Sequence, residues 1–179
     1  MMVGIGTIIA DDSLLTARDK ENKPLGKQPI RIVVDSGLKI PLSAKLFTDN
    51  NSIIIATSSN SEKKMTDLRD LGVEVISLPG AGGLVDLSAL LDFLGRREIT
   101  SVLIEGGSEL LGSFFDEGLA DKVAFCVSPV IIGGKTAIPS VGARGANKLS
   151  EAYRLQDVSF ETAGQDFIVT GYPVKSVPH

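Results

Sequence analysis

The sequence predicts a three-layer α/β domain built on a mixed, mostly parallel sheet, with an antiparallel hairpin at its C-terminal end. Four short runs carry the parallel part: IRIVVD (30–35), SIIIAT (52–57), VEVIS (73–77) and SVLIE (101–105). Each is nearly continuous in apolar residues, the pattern of strands buried on both faces. Amphipathic stretches separate them, and strands alternating with helices imply right-handed crossovers with helices on the sheet faces. The end of the chain changes period: YRLQDVSFET and DFIVTGYP alternate in polarity around AGQD, which reads as a hairpin added to the sheet. The 179 residues suit a single domain spanning 1–179.

The helices follow from local signals. Ser61 can cap one that places Met65, Leu68 and Leu71 on one face and stops at Gly72. Asp86 can cap a second, with Leu87, Leu90, Leu91 and Leu94 at i, i+3, i+4 and i+7. A third begins after Gly107, turns Leu110, Leu111, Phe114 and Phe115 inward, and has Gly118 as its stop.

Composition removes several classes of function. Aromatic residues make up 5% of the chain with no Trp, so stacking platforms for nucleic acid are scarce, and the net charge of -4 argues against a phosphate-backbone binder. No window reaches the ~18 uninterrupted apolar residues of a membrane span, and the N-terminal stretch lacks the basic region of a signal peptide, which points to the cytoplasm. Cys126 is the only cysteine and His179 the only histidine. Disulfide frameworks, thiolate metal cages, His-ligated zinc and His-dependent nucleophiles, a Ser108 hydrolase among them, are therefore disfavoured. Cys126, in the alternating stretch KVAFCVSP, is expected to pack in the core.

Three segments concentrate small and polar residues at strand ends, where ligands collect in open α/β sheets. Glu105, Gly106, Gly107 and Ser108 stand between a strand and a helix. Helix amides and bare glycine backbone suit a phosphate there, although a tight turn explains the glycines as well. Glu105 would repel a phosphate, and suits hydroxyl or amine groups better. VGIGTIIADDSLLTAR (3–18) brings together Gly4, Gly6, Thr7, Asp11, Asp12, Thr16 and Arg18. Its two carboxylates read as a magnesium site or, more commonly, a solvated turn, and Arg18 reads as a phosphate fork or a surface charge. PVIIGGK (129–135) is a turning loop, with Lys135 either solvated or facing an anion. None of these segments holds the G-x-G-x-x-G of a dinucleotide fingerprint.

Taken together, VGIGTIIADDSLLTAR, PIRIVVDSGLKIPLSAKLF, SVLIEGGSELLGSFFDEGLADKVAFCVSPVIIGGK and DFIVTGYP resemble, in that order, the reductase domain of the bifunctional riboflavin-biosynthesis deaminase/reductase. They are also similar to its single-domain relatives acting on the diaminopyrimidine analogue. The resemblance implies a dihydrofolate-reductase-like fold, NADPH as hydride donor, and reduction of 5-amino-6-(5-phosphoribosylamino)uracil to its ribityl product; a homodimer is the expected assembly. It implies that Thr7, Asp11, Ser36 and the stretch Gly107, Ser108, Glu109, Leu110, Leu111, Gly112 and Ser113 line the cofactor. Leu15, Arg18 and Glu105 would touch the phosphorylated ribosylaminopyrimidine, and Glu105 would act as proton donor only if burial raises its pKa. The ring-opened substrate is an imine, so close approach of nicotinamide to C1′ matters more than a strong protein base.

The family carries further residues ahead of the counterpart of Val3, including a strand and a Ser-Leu-Asp-Gly segment, and a zinc-binding deaminase domain. Neither has a match here, which leads to the expectation of unpaired strand edges, exposed apolar surface and lower stability or pairing with a second chain. Competing expectations are a non-catalytic nucleotide-binding or dimerisation fragment and a pterin reductase of the same fold; the phosphate-ready Arg18 disfavours the latter.

Overall fold

The structure, a computed structural model, describes residues 1–175; His179 lies outside them. The chain divides into two compact units, Met1–Leu110 and Leu111–His179.

The first unit holds a parallel sheet of four strands in the order β1-β2-β3-β4: β1 Met2–Gly4, β2 Arg31–Val34, β3 Ile53–Thr57 and β4 Glu74–Ser77. β3, drawn from SIIIAT, is buried at every residue, as an interior strand with both faces covered must be. β4 lies at the sheet edge and buries only Val75, with Ile76 half-buried and Glu74 and Ser77 exposed. Val3, Val33, Ile55 and Val75 stand in register across all four strands. They join Ile8, Met65 and Leu68 in one apolar cluster. Ile8 comes from α1 (Ile5–Asp11), and Met65 and Leu68 from α2 (Glu62–Asp70).

Residues of the opposite parity, Met2, Ile32 and Ile54, are buried as well. α3 (Leu87–Arg96) buries Leu87, Leu90 and Leu94 outside the first cluster. The connection β3-α2-β4 steps outward, whereas the one through α3 returns across the whole sheet to residues 101–105 beside β1. With right-handed crossovers, opposite steps put α2 and α3 on opposite faces, giving the three layers.

Helix signals perform unevenly. Asp86 caps α3, its carboxylate accepting from the Ala89 N–H at 2.8 Å. Ser61 precedes α2 without a side-chain cap bond, and Leu71 is exposed. Gly72 takes a positive φ of 79° and closes that helix through its N–H to Arg69 O.

Two expected elements come out differently. SVLIE is extended but shares only a single bridge, Ile104 with Met2, because no strand pairs its other edge among the described residues. Leu103 is 58% exposed there. β1 and α1, which no periodicity in the glycine-rich segment announces, occupy its first half and the methionine ahead of it.

The second unit contains most of α4 (Ser108–Glu117) and a three-stranded antiparallel sheet ordered β5-β7-β6. β5 is Val123–Val127, β6 Tyr153–Ala163 and β7 Asp166–Lys175. The hairpin turns at Gly164, whose φ is 68°, with Ala163 opposite Asp166. Parallel and antiparallel pairing are thus both present, in separate sheets. Cys126 is exposed, correcting its expected burial. The alternation of β5 half-buries Val123 and Phe125 and turns Ala124 and Cys126 to solvent.

A loop is fastened to α4 by Asp116, which accepts from the N–H groups of Arg144 (3.0 Å) and Gly145 (3.2 Å) and from Arg144 Nε. It lies so close that a Cβ on Gly112 would overlap the Gly142 carbonyl. Gly112→Ala is expected to lower stability by about 2 kcal/mol through overpacking against backbone that cannot move aside, read by urea denaturation.

In the first unit Arg31 is 0% exposed and pairs with Asp49, Nη2 to Oδ1 at 2.6 Å. Burial pushes the Asp49 carboxyl up, but hydrogen bonds from the Asn51 N–H and from Arg31 outweigh it and hold the group below its ordinary 3.8. A depressed folded-state pKa stabilises the fold above the unfolded-state value and loses that contribution as pH falls through the folded one. Asp49→Asn is therefore expected to be less stable than the wild type at neutral pH, with the gap closing below about pH 4 in denaturation curves taken across pH.

Candidate active site

The reversal of chain direction generates a crevice. β1 and the 101–105 segment are neighbours through Met2 and Ile104. The chain leaves β1 toward β2 but enters 101–105 from the far edge, so the carboxyl ends of these neighbours flank a topological switch point. Main-chain bonds fix the pair: Met2 N–H donates to Leu103 O at 2.7 Å and Glu105 N–H to Met2 O at 2.9 Å.

At that end Gly106 and Gly107 have φ of 68° and 78°. L side chains disfavour both conformations. A Cβ on Gly106 would come within 3.1 Å of Thr7 Oγ1, and one on Gly107 within 3.6 Å of Gly4 N. Turn geometry and close packing therefore account for both glycines. Thr7 and Gly4 themselves occupy the neighbourhood of both missing Cβ atoms, so this end of the crevice is built of main chain and one hydroxyl in close contact.

Glu105 ends the extended segment and is exposed, so the burial on which a proton-donor role depended is not present. Thr7 is half-buried in the first turn of α1. Ser36 follows β2, and its Oγ accepts the Val85 N–H at 3.1 Å, leaving its own proton for an acceptor. The Ser36 carbonyl accepts the hydroxyls of Thr57 (3.2 Å) and Ser58 (3.0 Å), which ties together the ends of β2 and β3.

Asp35, which the sequence reading did not single out, is fully buried beside Ser36. Its Oδ2 accepts from the Ile40 N–H at 2.8 Å, while Oδ1 has no partner. The signal for it was an acid closing the apolar run IRIVVD.

After α1 the chain forms the loop that holds Leu15 and Arg18. Asp12 caps α1 and binds Lys45 through its N–H at 2.9 Å and its ammonium at 3.6 Å. That contact accounts for one of the two carboxylates read as a magnesium site; Asp11 is exposed at the helix end. Among the described residues no group of three or more His, Cys, Asp or Glu is arranged to hold a metal. Leu15 is half-buried with φ of 52°. Arg18 is exposed and folded onto its own turn, Nε donating to Thr16 Oγ1 at 3.2 Å and Nη1 to Asn22 O at 3.3 Å.

The structure thus brings Thr7 against Gly106 and Gly107 and sets Ser108, Glu109 and Leu110 in the first turn of α4. Leu111, Gly112 and Ser113 continue that helix into the second unit, where Gly112 receives the Gly142 carbonyl. No helix among the described residues is long and apolar enough to cross a membrane.

The family described as the RibD C-terminal domain matches residues 1–169, through both units. The riboflavin biosynthesis protein RibD of Actinobacillus pleuropneumoniae is 36% identical over 171 residues, covering 94% of this chain and 44% of its own length. The chain therefore spans less than half of that relative. The 2,5-diamino-6-ribosylamino-4(3H)-pyrimidinone 5′-phosphate reductase of Methanothermobacter thermautotrophicus is 35% identical over 176 residues, covering 98% of this chain and 79% of its own. Among solved structures, Acinetobacter baumannii RibD superposes with a TM-score of 0.80 at 26% identity, over 97% of this chain and 46% of that one. The yeast riboflavin biosynthesis reductase Rib7, at 18% identity and a TM-score of 0.69, shares the fold. A family match through both units, a relative covered over most of its length and a switch-point crevice where ligands collect in α/β sheets converge on one assignment: this chain belongs to the RibD C-terminal domain family.

Proposed function

We propose that this chain is an NADPH-dependent reductase of riboflavin biosynthesis that converts a phosphorylated ribosylaminopyrimidine into its ribityl counterpart, its two units working as one reductase domain. The observation that carries this reading is the main-chain corner of Gly4, Thr7, Gly106 and Gly107 at the switch point. The names of the relatives support the reaction class. The corner suits a dinucleotide phosphate through the main-chain N–H groups at the start of α4 and the Thr7 hydroxyl beside the glycines.

Reduced nicotinamide, when bound, supplies the hydride. Thr7, Asp11 and Ser36 line its site, together with Gly107, Ser108, Glu109, Leu110, Leu111, Gly112 and Ser113. The Ser36 hydroxyl, held in place by Val85, offers a proton to an acceptor oxygen. Arg18 binds the substrate phosphate through charge-assisted hydrogen bonds. Leu15 gives the pyrimidine an apolar wall. Glu105, exposed beside the corner, accepts hydrogen bonds from substrate hydroxyls. These groups bind and orient; they place the sugar carbon for transfer and need no histidine.

The relative from Methanothermobacter, 35% identical, is named for the diamino pyrimidine, and RibD of Actinobacillus is 36% identical, so both pyrimidines are candidate substrates. A cytoplasmic homodimer fits the exposed apolar surface of the second unit, where Ile131 is 96% and Phe160 75% exposed. Sedimentation equilibrium is expected to return twice the chain mass.

The deciding experiment follows NADPH oxidation with the 2-amino and the deaminated ribosylaminopyrimidine phosphates, and with dihydrofolate. Turnover is expected with a pyrimidine phosphate and none with the pterin. NADPH binding without any turnover would instead identify a nucleotide-binding fragment. Arg18→Ala is expected to raise KM for the pyrimidine phosphate about tenfold or more, the worth of a charge-assisted hydrogen bond, while KM for NADPH stays unchanged.

A further inference from the structure

Leu15 packs against the apolar cluster of the sheet, while Arg18 is exposed, and the main chain between and around them is held by side chains from β2 and the segment before it. Leu15 adopts φ of 52°, in the left-handed region that a branched side chain disfavours. Such a conformation persists only where its surroundings impose it, and here one buried and one half-buried side chain grip the main chain on either side.

Arg31 of β2 reaches one side. Its Nη1 donates to Leu14 O at 3.1 Å and to Asp49 Oδ2 at 3.2 Å, while Nη2 donates to Asp49 Oδ1 at 2.6 Å and Asn51 O at 2.9 Å. Gln28, three residues earlier, grips the other. Its Oε1 accepts the Ala17 N–H at 2.8 Å and its Nε2 donates to Ala17 O at 3.1 Å and Leu25 O at 2.5 Å. The carboxamide thereby pairs with Ala17 as a neighbouring strand would, donor to acceptor and acceptor to donor. Ala17 O also accepts the Leu25 N–H at 2.9 Å, and Arg18 bridges to Pro24.

We propose that Gln28 and Arg31 are positioning residues for the reduction: by clamping Ala17 and Leu14 they hold Leu15 in its left-handed conformation and set Arg18 toward the substrate phosphate. This rests on the proposed reductase function. Neither side chain touches substrate; each acts through the main chain next to a residue that does. The clamp replaces the entropy that a free loop would lose on meeting its ligand, so its removal weakens substrate binding and leaves hydride transfer from the saturated complex unaltered.

Gln28 gives the cleaner test, because it is only half-buried, whereas Arg31 also neutralises Asp49. Gln28→Leu keeps the bulk and removes all three bonds. In the NADPH oxidation assay on the full chain it is expected to raise KM for the pyrimidine phosphate about tenfold, with kcat and KM for NADPH unchanged. Arg31→Lys, which retains a cation for Asp49 but loses the fork to Leu14 O, is expected to shift the same constant in the same direction. Hydrogen exchange at the Ala17 amide is expected to quicken in Gln28→Leu and to stay slow at Ile54 in the sheet.

An active wild type with unchanged pyrimidine KM in Gln28→Leu overturns the clamp alone. So does a variant in which kcat and both KM values change together while exchange quickens throughout the sheet, since that is general loosening. A wild type that turns over no pyrimidine phosphate overturns the reductase reading itself, and the clamp's catalytic role with it.

Discussion

The proposed corner depends on a strand of three residues that is hydrogen-bonded along both edges. On one side Met2 exchanges bonds with Leu103 and Glu105; on the other, the Met1 carbonyl accepts from Ile32 at 2.8 Å. This double pairing makes β1 an interior strand despite its length, and brings Gly4 alongside Gly107. A slip of one residue would exchange the faces of Met2 and Val3, both buried, and carry α1 out of line with the glycine turn. The register is therefore specified from both faces at once, and the geometry of the crevice follows from it.

The second constraint is a charge inside the sheet. Taking a guanidinium out of water is costly unless its donors are paired, and a lone partner seldom suffices. Arg31 meets the requirement with a carboxylate and two carbonyls, leaving only Nε unpartnered. Those acceptors come from separate loops, around residues 14 and 49–51, so satisfying one buried cation also ties two connections to β2. Fold stability and loop geometry share one solution at this point, which links the strand interior to the chain around Leu15.

Much of this was legible in the sequence, where signals were local and strong. β3 follows from an unbroken apolar run, α3 from an acid cap ahead of leucines at helical spacing, and the hairpin from alternation around a glycine turn. The misses share a physical origin in tertiary context. β1 and α1 were hidden in VGIGTIIADD because three residues carry too short a pattern, and Gly6, Thr7, Ile8 and Ile9 are poor helix formers that packing must hold in place. Residues 101–105 have strand composition, but composition cannot reveal whether a partner is present. Alternation located the two faces of β5 without showing which one is covered, so Cys126 was assigned to the wrong side. The glycine pair stayed ambiguous for a deeper reason: a tight turn and a phosphate cradle ask the same thing of the backbone, so sequence alone does not separate them. The roles of Gln28 and Arg31 lay beyond sequence reasoning because side chains that bond to main chain leave no pattern of their own, although an arginine amid PIRIVV was a visible oddity.

The outward-facing sulfur on β5 also has a practical side. With one cysteine in the whole sequence and that one open to solvent, thiol-directed chemistry has a single address. A maleimide fluorophore or nitroxide would attach to one defined strand of the antiparallel sheet without any engineering, and aerobic storage could crosslink chains in pairs but never into longer chains.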